Sequence, residues 1–87
     1  MSEMRVIDFD DIVGKAQSGK NILIEAKTLR KARAAFGEFT DFLISCRINC
    51  EIRMYDCRVT FPSGAFVRFI SASQRYYQAF DGEVFRA

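Results

Sequence analysis

The chain has 87 residues, 49% of them apolar and 28% charged, with 13 basic against 11 acidic side chains and a formal net charge of +2. That length supports one core burying a little over ~60% of the unfolded chain's surface, so a two-domain enzyme with an interdomain cleft is excluded and residues 1–87 are expected to form a single globular domain. Nine Phe and three Tyr exclude intrinsic disorder, and a net charge of +2 is too small to mark a nucleic-acid or membrane binder unless the charge is locally clustered.

In chain order, the first element is a helix with Asp8 at its N-cap, Asp11 placed as the capping acid, and Ile7 and Ile12 at the positions of a hydrophobic staple. Ile12, Val13 and Ala16 give it a short apolar face, and Ser18-Gly19 is expected to end it. Asn21 to Ala26 is short, β-branched and flanked by turn residues, which predicts a buried strand. From Thr28 to about Cys46, Leu29, Ala32, Phe36, Phe39, Leu43 and Cys46 recur at steps of three and four, the spacing of a helix.

Glu51 to Ile70 has the period of strands. Ile52 and Met54 share one parity and Cys57, Val59 and Phe61 the other, so a turn or bulge is expected at Tyr55-Asp56. Phe61-Pro62-Ser63-Gly64 predicts a tight turn. The arm that follows, Ala65 to Ser71, carries Val67 and Phe69 on one face and Phe66, Arg68 and Ile70 on the other, which predicts a strand covered on both sides. Ser73 to Phe80 has the pattern of a short helix, with Val84-Phe85 as a tail. The expected order is α-β-α-β-β-β-α: a small α/β or α+β domain with a single-layer sheet and two to three helices.

The absence of His removes the usual general base and the Ser-His and Cys-His nucleophile pairs. Cys46, Cys50 and Cys57 form no C-x-x-C pair, so buried reduced thiols are expected rather than a zinc site. No apolar run approaches the length of a membrane span, and Asp8, Asp10 and Asp11 fall where a signal peptide needs uncharged residues. A cytoplasmic protein without a membrane partner is expected.

Four groups have the residue types for binding or chemistry. Gly14 to Lys20 matches the G-x-x-x-x-G-K part of a phosphate-binding loop at Gly14, Gly19 and Lys20, but Asn21 replaces the magnesium-binding hydroxyl and a strand follows instead of a helix. The match is therefore degenerate, and a helix ended by glycine is the simpler expectation. Asp8, Asp10 and Asp11 have the chemistry of a magnesium site, but capping accounts for two of them. Lys27, Arg30, Lys31 and Arg33 are the one concentrated basic feature, at the start of the second helix; they present either phosphate contacts or a solvated face. Arg75, Tyr76 and Tyr77 combine a guanidinium with aromatic faces, as a base-stacking platform does, or else pack in the core.

The segments NILIEAKTLRKARAAF, RVTFPSGAFVRFISAS and QAFDG, within Asn21 to Gly82, resemble the ATPase core of tailed-phage large terminase subunits and related helicase-like ATPases. In that family a strand and helix after the phosphate loop are followed by a hairpin and then an Arg-Gly step before an acidic magnesium strand. Val59-Thr60-Phe61, Ser63-Gly64 and Val67 to Ala72 occupy the hairpin places, and Asp81-Gly82 stands near the Arg-Gly step with Asp81 in place of Arg. An intact phosphate loop and a strand ending in paired acids are both lacking. The resemblance thus implies a phage- or prophage-encoded chain, working in the host cytoplasm, with an ATPase-like subdomain but no machinery for hydrolysis.

The expectation is a non-catalytic binding protein with no cofactor and no metal, contacting its partner through Lys27, Arg30, Lys31 and Arg33. Three partner classes stay open: nucleic acid, a host or phage protein met through an exposed apolar surface, and a second copy of the chain. A small nucleotide hydrolase or nuclease would need Lys20 or the three aspartates to converge on magnesium.

Overall fold

The computed structural model describes residues 7–72 and 82–87. Asp8 is extended and its carboxylate accepts from the Asp10 amide at 3.0 Å, which starts helix α1, Phe9–Gln17. The cap is thus simpler than the expected box, because Asp11 pairs with Lys15 at 3.6 Å instead of completing it. Ile12, Val13 and Ala16 are its buried face, as their spacing predicts. Gly19 ends the turn after the helix at φ +105°, a backbone conformation that costs glycine little.

Strand β1, Ile22–Ala26, is buried at all five positions. Helix α2, Leu29–Ser45, begins at Thr28, whose Oγ1 accepts from the Lys31 amide at 3.1 Å. Its buried stripe is Ala32, Phe36, Phe39, Thr40 and Leu43. Four strands follow: β2, Glu51–Arg53; β3, Arg58–Thr60; β4, Phe66–Ser71; and β5, Glu83–Arg86. The expected phase slip at Tyr55-Asp56 is a turn, closed by the Cys57 amide donating to the Met54 carbonyl, with Cys57 at φ +50°. Phe61 to Gly64 forms the second turn, in which the Gly64 amide donates to the Phe61 carbonyl at 2.8 Å. The Val84-Phe85 tail is instead a strand, because it pairs with β1. The helix expected over Ser73–Phe80 lies outside the described residues.

These strands form one mixed sheet in the order β2-β3-β4-β1-β5. β2, β3 and β4 are an antiparallel meander, and β1 is central between β4 and β5, parallel to both. A small α+β domain follows, with both helices on one face: Ile22 and Ile24 of β1, Val59 of β3, and Val67 and Phe69 of β4 share a cluster with the buried faces of α1 and α2. The rings of Phe9, Phe39 and Phe69 join it, with Phe39 within 5.1 Å of the first and 5.6 Å of the second. Alternation along the strands turns Leu23 and Ile70 to the opposite face, and both are buried there as well. The two-sided burial expected of these strands is therefore present.

Candidate binding surface

The end of β1 and the start of α2 decide where the basic residues go. Lys27 follows the last strand residue, Thr28 caps the helix, and the inward turn of Ala32 and Phe36 leaves the neighbouring positions outside. Lys27, Arg30, Lys31 and Arg33 are all exposed, and none enters an ion pair among the described residues. The first turn of α2 contains no acid, although the macrodipole favours negative charge there. The structure therefore brings all four together at one helix end.

Arg33 links this end to the sheet. It lines a cleft of about 150 Å³ with Leu29, Tyr55, Asp56, Cys57 and Arg68. Small-molecule sites typically enclose ~300–1,000 Å³, so the cleft is a notch in a surface rather than a ligand chamber. Cys57 is buried at its base, and burial pushes its thiol above the ordinary range against the opposing pull of Arg33 and Arg68. A thiol held protonated in this way is a poor nucleophile.

Tyr55 is 99% exposed at the lip of the notch. The sequence singled out neither Tyr55 nor Arg53, Arg58 and Arg68. The strand register brings the three arginines into line, Arg53 opposite Arg58 and Arg58 opposite Arg68. The signal was present as Arg at one parity in three strands, but it becomes legible only once the pairing is known. Arg58 stands 3.9 Å from the Asp56 carboxylate.

The remaining sequence sites fall elsewhere. Gly14 lies inside α1 and Gly19 in the turn after it, so Gly14 to Lys20 is the glycine-ended helix and not a loop whose amides face an anion. Lys20 donates to Glu83 Oε2 at 3.2 Å, and Lys15 to Oε1 of the same carboxylate at 2.9 Å. That pairing holds Lys15 above its ordinary range and Glu83 below its own, in each case first through their mutual hydrogen bond. Asp8 and Asp11 are occupied at the start of α1. Among the described residues no three Cys, Asp or Glu side chains gather as a metal site, and no helix is long and apolar enough to cross a membrane. Arg75, Tyr76 and Tyr77 lie outside the described residues. Comparison with protein-family models, with curated proteins and with solved structures finds no match.

Proposed function

We propose that this chain is a non-catalytic binding protein that contacts nucleic acid through Lys27, Arg30, Lys31 and Arg33. The observation that supports it is four exposed cations at one helix end, none of them in an ion pair among the described residues. Structural charges normally acquire partners, as Lys15 and Lys20 do with Glu83; charges held apart from carboxylates are available to phosphates. The resemblance to terminase ATPase cores adds a phage or prophage origin to the proposal. The test is a salt titration of oligonucleotide binding. Affinity should fall steeply with ionic strength, and reversing all four charges should abolish that slope. Binding that is unchanged by the reversal removes the proposal.

A second reading, a protein-interaction module or homodimer, draws on Leu29, Met54 and Tyr55, which are 45%, 70% and 99% exposed. Light scattering separates the two, since a monomer at high concentration that still binds oligonucleotide supports only the first.

A further inference from the structure

We propose that β2 is the contact edge of a homodimer, in which two copies of the chain join antiparallel about Ile52 and each Glu51 pairs with Arg53 of the second copy. The inference rests on the second reading above, that of a self-associating chain, and names its surface and register. None of Lys27, Arg30, Lys31 and Arg33 belongs to that edge.

The hydrogen bonding leaves β2 open on one side. The Phe69 amide donates to the Cys57 carbonyl and the Phe61 amide to the Ala65 carbonyl, so Cys57, Val59 and Phe61 turn their backbone groups toward β4. Alternation then turns Arg58 and Thr60 toward β2, where they meet Arg53 and Glu51. Ile52, between those two, presents its N–H and C=O to the outside. There β2 ends the sheet, and no further strand pairs with it among the described residues.

The side chains decide which strand fits. Ile52 packs against the core, so Glu51 and Arg53 leave the opposite face. Both are exposed, and neither enters an ion pair among the described residues. An antiparallel copy centred on Ile52 exchanges two hydrogen bonds between the Ile52 residues and sets Glu51 directly opposite Arg53 twice, once on each side of the two-fold axis. Moving the centre by one residue opposes Glu51 to Glu51 or Arg53 to Arg53, and like charges directly opposite one another destabilise a strand pair. Charged side chains commonly keep foreign strands from an edge. On β2 they are self-complementary, so they select a second copy in one register.

Arg53 has a further reason to take a carboxylate. Its register partner on β3 is Arg58, a like charge that Glu51 of the second copy offsets from the open side. Exposed apolar groups lie at the same edge: Met54 and Tyr55, directly after Arg53, are 70% and 99% exposed. Continued by one residue, the register brings Met54 to Cys50 of the second copy, so pairing removes apolar surface from water at both ends of the strand. The contact is small, and the dimer is therefore a reversible one that forms as concentration rises.

The experiment is sedimentation velocity over a concentration series for the full chain, for Glu51→Arg, for Arg53→Glu, for the double variant carrying both changes, and for Tyr55→Ala. These positions are exposed, and unchanged thermal melting at low concentration establishes that each variant folds. The wild type should pass from monomer to dimer as concentration rises, and added salt should weaken its association. Each single reversal sets like charges opposite one another twice and should weaken association about tenfold or more. The double variant regains two opposite pairs and should associate as the wild type does. An equal mixture of the two single variants should associate more tightly than either alone. Single variants that associate like the wild type, or a mixture no tighter than its components, overturn the inference. If association survives both single reversals and is lost in Tyr55→Ala, the edge pairing fails and the second reading stands on its apolar surface. A wild type that stays monomeric throughout the series overturns both and leaves the nucleic-acid reading untouched.

Discussion

Two groups of cations on this small domain stand in opposite surroundings. Lys15 and Lys20, from α1 and the turn after it, converge on the Glu83 carboxylate at the start of β5, and Lys15 also sits 5.1 Å above the Phe85 ring. They tie the first helix to the edge strand. Lys27, Arg30, Lys31 and Arg33, one strand further along the chain, stand exposed with no carboxylate among the described residues paired to them. In the sequence Lys20 of the first group falls in a degenerate phosphate loop, while the second group presents either phosphate contacts or a solvated face. Partnership, rather than motif, separates a charge that ties two elements of the fold together from one that stands exposed without a carboxylate paired to it among the described residues.

The comparison depends on both groups hanging from one sheet, and the largest expected effect breaks that support. Phe39 is fully buried and its ring meets Phe9 of α1 and Phe69 of β4. Phe39→Ala should cost ~3–5 kcal/mol, a large share of the ~5–15 kcal/mol that holds a native domain together. In urea, the midpoint should fall with little change in slope. Loss of helix and sheet signals in separate transitions would show that the two regions are not one cooperative unit.

Reversing the charges of Lys27, Arg30, Lys31 and Arg33 should separate the groups most directly. Oligonucleotide affinity at low salt should drop tenfold or more, with about 2.8 lost from the single-strand salt slope if each cation contacts one phosphate. The melting temperature should not fall, because these residues are exposed and negative charge at the start of α2 suits its dipole. A clear destabilisation would mean that the second group is structural too.

A smaller effect tests how the surface is presented. Thr28→Ala removes the hydroxyl that accepts from the Lys31 amide and should cost ~1 kcal/mol. Hydrogen exchange should speed up in the first turn of α2 while α1 is unchanged. Equal acceleration in both helices would contradict a local cap.

The sequence makes the helices and their buried faces legible because each carries a repeated apolar spacing between a cap and a stop. Ala32, Phe36, Phe39 and Leu43 fall inward where their steps of three and four put them, whereas Leu29 and Cys46, at the two ends of the same spacing, are exposed. The break at Tyr55-Asp56 is legible as a change of parity, and it is a turn. What escapes is anything that depends on which strands are neighbours. Val84-Phe85 reads as a tail because two apolar residues have no period of their own, and it becomes β5 only through pairing with β1. Arg53, Arg58 and Arg68 are separate residues until the register aligns them. Tyr55 looks like any turn residue until its exposure is known. Lys20 fits a phosphate loop until the chain returns, more than sixty residues later, with Glu83.

That last pairing gives the smallest expected effect and the sharpest test of the first group. In Glu83→Gln the carboxylate shared by Lys15 and Lys20 is lost, so the variant should melt slightly below the wild type, with a gap that narrows as salt is added. The pH dependence follows from the two shifts. Glu83 titrates below its ordinary 4.5 in the folded chain, so its contribution is fully present above that value and is lost as pH falls through the lowered folded pKa. Lys15 titrates above its ordinary 10.5, so its share persists below that value and is lost as pH rises through the raised one. The difference in melting temperature between wild type and Glu83→Gln should therefore be flat across neutral pH and shrink at both extremes. Oligonucleotide binding at neutral pH should be the same for both proteins. A difference that grows toward acid, or a change in binding, would show that Glu83 does more than tie α1 to the sheet, and the separation between paired and unpaired cations would not hold.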